Sequence, residues 1–172
     1  LRKIGDRIIV MGLLHNILYD VDDVSCLDAA MLVRQIVSHL SSRYSSGGRV
    51  RTHTNLESVI LDVNHALPLG LIASEAITNA YEHAFPESEA GRITVDLIAH
   101  DDRRWLLRVA DDGTGLAPEC RLQTRDTLGI SLMHMLARQI DATLDIEARA
   151  GTDVMLRFPV RAYGADADVR NA

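Results

Sequence analysis

Apolar residues recur at helical spacing at Ile4, Ile8, Met11, Leu14 and Leu18, and Val10, Leu13 and Ile17 widen that face. Ile4–Tyr19 is therefore expected to form a helix that needs partners on two sides. The polar stretch Val21–Asp28 breaks it, and Ser25 and Asp28 are candidate caps for a second helix with the stripe Val33, Ile36, Val37, Leu40 and Tyr44. Ser45–Gly48 reads as a loop and Val50–Leu61 as one or two short strands. A third helix is expected from about Asn64 to Ala84, with Pro68 tolerated near its first turn and Pro86 stopping it. The period then changes. Ile93, Val95, Leu97 and Ala99 alternate, Asp101-Asp102 turns the chain, and Trp105, Leu107 and Val109 alternate again. Thr114–Asp126 is a loop of mixed charge, and Leu128–Ile140 returns to helix. Thr143–Glu147 and Thr152–Val160 form a last hairpin turned at Ala148–Gly151. From Tyr163 the tail is small and polar, a composition that favours disorder. This succession predicts an α/β sandwich: a mixed, largely antiparallel sheet with helices on one face.

A chain of 172 residues is long enough for one domain with a sizeable core. With 24 acidic against 18 basic residues, the net charge of −6 argues against a nucleic-acid surface. Cys26 and Cys120 lie far apart without a CxxC pair, so they read as reduced thiols and not as a zinc site or disulfide framework. No apolar run approaches membrane-spanning length and no signal peptide opens the chain, which points to the cytoplasm. Opening on Leu1 without Met, the chain reads as a fragment of a longer protein.

The chemistry concentrates in two places, LGLIASEAITNAYEHAF at Leu69–Phe85 and DDGTGL at Asp111–Leu116. On a helix, Glu75, Asn79 and His83 fall at i, i+4 and i+8, which puts a carboxylate, an amide and an imidazole on one stripe. Leu71, Ile72, Ala76 and Ala80 form the apolar stripe opposite. Asp111 then ends a strand beside Gly113 and Gly115, an acceptor next to backbone that carries no Cβ. Together they suggest a nucleotide site. Plainer readings stand beside this one. Glu75 alone is a solvated glutamate, Asn79 a cap, and Asp-Asp-Gly an ordinary turn; His83 serves equally as a structural histidine or a phosphate contact. His15, His39, His53, His65, His100 and His134 share no metal-like spacing and read as packing or surface residues.

These two segments resemble the N-box and first glycine box of the GHKL ATPases, the superfamily of histidine kinase catalytic domains, DNA gyrase and MutL. Two further motifs follow in the family's order. TLGISLMHMLARQIDATL (Thr127–Leu144) resembles the second glycine box with its helix, and GTDVMLRFP (Gly151–Pro159) the closing GT-x-hydrophobic strand. The resemblance implies a Bergerat fold that binds ATP with Mg²⁺. It implies that Asn79 ligates the metal, Glu75 acts as general base, and Asp111 accepts from the adenine amine with Gly113 and Gly115 approaching the base. Gly129 would open a helix whose N-terminal amides face the phosphates, and Thr152 would lie near the adenine.

The segment Arg7–Tyr44 resembles the end of the second dimerisation helix and the first catalytic-domain helix of one group of bacterial sensor histidine kinases. That group carries Glu in the N-box and a short lid. The organisation implied is a dimerisation-helix remnant and linker over 1–24, the catalytic domain over 25–162 and a disordered tail over 163–172. The group's phosphoacceptor motif, a histidine followed by Arg-x-Lys-Asn, is absent, and His15 stands in a different context. The activity implied is transfer of the ATP γ-phosphoryl group to a histidine on an upstream helix, then to a response regulator receiver domain, within a dimer. Two departures stand out. Glu82 occupies a position where the family usually has Lys, so it would repel phosphate unless Mg²⁺ or His83 screens it. Arg125 and Thr127 replace glycines of the second box, and Arg121 or Arg125 could supply positive charge. The alternatives are an adaptor module with a decayed nucleotide pocket and an anti-sigma-factor-type serine kinase.

Overall fold

Asp28 converts a short strand into a helix. The computed structural model, which describes Gly12 and residues 26–44, 48–86, 90–115 and 128–160, opens with strand β1 (Cys26–Asp28). The Asp28 carboxylate accepts the Ala30 amide at 2.9 Å, and helix α1 (Ala29–Tyr44) starts there, buried along Leu32, Val33, Ile36, Val37 and Leu40. Apart from Gly12, the expected helix at Ile4–Tyr19 lies outside the described residues. So do the Ser25 cap, most of the loops Ser45–Gly48 and Thr114–Asp126, and the tail from Tyr163.

The stretch expected to hold one or two strands holds two, in different sheets. Strand β2 (Val50–Leu56) is an exposed edge of the main sheet, whereas β3 (Ile60–Asp62) pairs antiparallel with β1. Strand β1 falls where the polar pattern predicted only a break. Three residues are too few to show a period, and pairing with β3 supplies the order that local propensity does not.

Helix α2 (Val63–His83) follows, with Asp62 as its N-cap accepting the amides of Asn64 at 2.8 Å and His65 at 3.2 Å. The His65 ring meets the second oxygen of the same carboxylate at 2.6 Å. Pro68 is not in the first turn but inside the helix, and it is buried. It cannot donate to the Asn64 carbonyl, a loss limited because Asn64 is exposed to water.

Strands β4 (Gly91–Ala99) and β5 (Arg104–Asp111), helix α3 (Leu128–Gln139), and strands β6 (Thr143–Arg149) and β7 (Gly151–Pro159) complete the elements of the described residues. The main sheet has the order β2-β4-β5-β7-β6. Only β2 and β4 run parallel, as expected for two strands joined through α2, and the other neighbours are antiparallel. Ile93, Val95, Leu97, Leu107, Val109, Leu156 and Phe158 turn one face of the sheet into the core, where α1, α2 and α3 cover it. The opposite face carries ion pairs, among them Arg108 gripping Asp153 through two nitrogens at 2.7–3.0 Å. This is the expected α/β sandwich with helices on one face.

The Asp62 cap should be measurable in isolation. Asp62→Ala leaves two first-turn amides without their acceptor and is expected to lower the unfolding free energy by about 1 kcal/mol. The measurement is urea denaturation, with a lower midpoint at unchanged m-value.

Candidate functional site

Helix α2 is buried on nearly every side between Ala66 and Ala80, because it packs against α1, α3 and β5 at once. The clean division into polar and apolar stripes does not hold. Ile72, Ala73, Ala76 and Ile77 are buried as an apolar face should be, but Ser74, Glu75 and Thr78 are buried with them, and Leu71 is only partly covered. Along the expected functional stripe, exposure rises toward the helix end. Glu75 is 4% exposed, Asn79 is half-buried, and the His83 side chain is 66% exposed.

The Glu75 carboxylate lies against the first turn of α3. A Cβ added at Gly129 would collide with Glu75 Oε1 and stand 3.0 Å from Cδ. Glu82 meets the end of α1, where the Tyr44 hydroxyl donates to its Oε1 at 3.3 Å and the Tyr44 ring stacks on Tyr81 at 5.5 Å. The His83 ring is 3.9 Å from the same carboxylate. Arg121 and Arg125 lie outside the described residues.

The end of α2 is tied to the Asp-x-Gly-x-Gly turn. The Ala84 carbonyl accepts the Thr114 amide at 2.9 Å and its hydroxyl at 3.3 Å, and a Cβ on Gly113 would strike that carbonyl. Gly113 is thus required by a neighbouring helix inside the protein. Gly115 is required for another reason, its φ of +67°. Asp112 fastens the turn to β4 through the Arg92 amide at 2.6 Å.

Asp111 ends β5 half-buried, and its Oδ1 accepts the amides of Gly113 at 3.1 Å and Thr152 at 3.2 Å. Burial pushes the Asp111 carboxyl above its ordinary value, and these amides and the nearby Thr152 hydroxyl offset that only partly. Gly151, with φ +104°, brings its backbone against the Asp111 carbonyl, where a Cβ would collide. Sequence reasoning placed Gly151 in a turn but missed this role, and it missed Ala84 and Thr114 altogether. The Gly-Thr pair opening the last strand was the available signal for Gly151; a carbonyl contact such as that of Ala84 leaves no trace in residue type.

Glu75 thus meets Gly129, the end of α2 meets Gly113 and Thr114, and Asp111 meets Gly113, Gly151 and Thr152. Among the described residues no group of three or more His, Cys, Asp or Glu side chains could hold a metal ion. An ion at Asn79 would need oxygens from a bound phosphate, which suits Mg²⁺, since it takes few protein ligands. A half-buried carboxylate whose charge is poorly compensated suits an N–H donor from a ligand. No helix among the described residues is long and apolar enough to cross a membrane.

The chain is 32% identical over 164 residues to the sensor histidine kinase PdtaS of Mycobacterium tuberculosis, covering 92% of this chain and 32% of that protein. It is 44% identical over 55 residues to the serine-protein kinase RsbW of Listeria monocytogenes, covering 32% of this chain and 34% of RsbW. Among solved structures, the histidine kinase domain of a blue-light activated histidine kinase from Erythrobacter litoralis superposes with a TM-score of 0.84 at 22% identity, covering 91% of this chain and 74% of that one. The chain spans about a third of the length of PdtaS. The model of the histidine kinase-, DNA gyrase B- and HSP90-like ATPases matches residues 64–162, and the chain belongs to that family.

Proposed function

We propose that this chain is the ATP-binding catalytic domain of a two-component sensor histidine kinase, working in the cytoplasm. The observation that carries the reading is Asp111, a half-buried carboxylate held by the Gly113 and Thr152 amides through one oxygen. Burial outweighs these donors and holds the carboxyl above its ordinary value, and the exocyclic amine of adenine would add a further donor. Gly115 gives the turn the backbone freedom to lie along the base, and Thr152 adds a hydroxyl beside it.

The remaining roles follow along α2. Asn79 offers a carbonyl oxygen to Mg²⁺, which neutralises phosphate charge when bound. His83, at the exposed end, reaches the phosphates. Glu75 accepts the proton of the attacking imidazole as its other nitrogen takes the γ-phosphoryl group and ADP leaves. Gly129 opens the helix whose N-terminal amides face the phosphates. Glu82, expected to repel phosphate, is held toward Tyr44, which is compatible with binding.

On this reading the phosphoacceptor histidine belongs to a helix upstream, the intact kinase is a homodimer, and the phosphoryl group passes on to the receiver domain of a response regulator. The identity to a sensor histidine kinase over 92% of this chain supports the kinase assignment on which these steps depend. The local identity to RsbW favours a second reading, a serine kinase using the same site. Acid-stable label on a partner protein would be its signature.

The isolated chain is expected to bind Mg·ATP, with affinity lost when EDTA removes the metal, and to gain no stable label from γ-phosphate-labelled ATP. Calorimetry and a filter assay check the two. Absence of heat and of any melting shift with Mg·ATP would instead support an adaptor with a decayed pocket.

Asp111→Asn separates function from stability. The amide oxygen still accepts from Gly113 and Thr152, but its NH₂ opposes the adenine amine, so Mg·ATP binding should weaken tenfold or more, on the order of 1.4 kcal/mol. Stability should move the other way. Because the folded carboxyl is raised, protonation stabilises the fold fully below the ordinary 3.8, and this is lost as pH rises through the folded value. The charged form is therefore a net cost at neutral pH. The Asn variant should melt higher than the parent at pH 7, the gap closing toward and below pH 3.8. Melting curves across that range check the sign.

A further inference from the structure

We infer that Gly129 is a positioning residue whose missing side chain forms the seat for the Glu75 carboxylate, so that the base on α2 is located by the first turn of α3. The backbone at Gly129 does not require glycine. It lies within α3, and the described glycines with positive φ are Gly48, Gly115 and Gly151. Glycine in a helix is unfavourable relative to alanine, so something else must account for it. Space does. The position a Cβ would take overlaps Glu75 Oε1 and lies 3.0 Å from Cδ and 3.4 Å from Cγ, so the whole end of the side chain lies across this one residue.

The two helix backbones are fixed by packing, so what would move is the Glu75 carboxylate at the end of its side chain. Gly129 is buried and Glu75 is 4% exposed, on a helix packed by α1, α3 and β5. A methyl group at position 129 would have to displace the carboxylate or push α3 away from α2. Either change moves the proton acceptor relative to a nucleotide bound along α2, and misplacement by about 1 Å can cost on the order of 10²-fold in rate. Gly129 thus has a second task beside its expected one of facing phosphate. This inference rests on the assignment of Glu75 as base only for its catalytic consequence; the contact itself is independent of any nucleotide.

The experiment is a double-mutant cycle on this chain, followed by kinetics in the full-length kinase. Gly129→Ala alone should fail to give the rise in melting midpoint that helix propensity predicts for a residue with no such contact. The same substitution in a Glu75→Ala background should raise it, since the collision is gone. Glu75→Asp, one methylene shorter, should recover part of that rise. In the full-length kinase, Gly129→Ala should reduce kcat for autophosphorylation tenfold or more, with KM for Mg·ATP changed less than threefold. A rise in melting midpoint in both backgrounds overturns the seat. A loss confined to KM overturns the positioning role and leaves Gly129 as a phosphate contact. Should the parent chain fail to bind Mg·ATP, the proposed function falls, but the melting cycle still decides the contact.

Discussion

The site depends on how closely α2 is approached by its neighbours, and two residues without side chains permit that approach. Gly129 lets α3 lie against the Glu75 carboxylate, and Gly113 lets the turn after β5 settle on the Ala84 carbonyl. A Cβ at Gly113 would hit a backbone carbonyl that cannot shift without disturbing the packed helix, and one at Gly129 would hit the buried end of the Glu75 side chain. The glycines thus fix the distances between the helix that carries Glu75 and Asn79 and the two elements that flank it.

Charge is the second constraint. Two carboxylates are withdrawn from water in this region, Glu75 within the core and Asp111 at the end of β5. Burying a carboxylate costs stability unless its surroundings compensate, and for Asp111 the compensation is incomplete. Such a cost is common where a protein keeps a group ready for a ligand and not for its own packing. Asp112 illustrates the contrast, since its carboxylate is exposed and fastens the turn to β4 through the Arg92 amide. Two adjacent aspartates therefore divide the work, one anchoring the turn and the other available within it.

The same packing links the ends of the site. Thr114 closes on the carbonyl of Ala84, the C-cap of α2, while Gly151 and Thr152 close on Asp111 from β7. A displacement of α2 along its axis would reach Asp111 from Ala84 through the turn, and also through the direct packing of α2 on β5. The edge strand β2 and the outward face of the sheet, with its Arg108 and Arg157 ion pairs, take no part in this chain of contacts.

Much was legible in the sequence because it is written in periodicity. The alternation at Ile93–Ala99 and Trp105–Val109 determined a hairpin, and the long apolar helix and its order relative to the Asp-x-Gly-x-Gly turn determined the family's fold. Side-chain chemistry on one turn of helix likewise marked Glu75 and Asn79 as a pair. Tertiary structure alone decided the rest. Strand β1 exists only because β3 is beside it, and β2 is an edge strand whose polar residues show no alternation to read. Helix α2 was expected to turn one polar stripe away from an apolar one, yet contact on three sides buries even Glu75. The reasons for Gly113 and Gly129 were equally hidden, because a missing Cβ matters through what stands opposite it. Local pattern reports what a residue prefers; which atom it meets across the core is set by the packing of elements far apart in the chain.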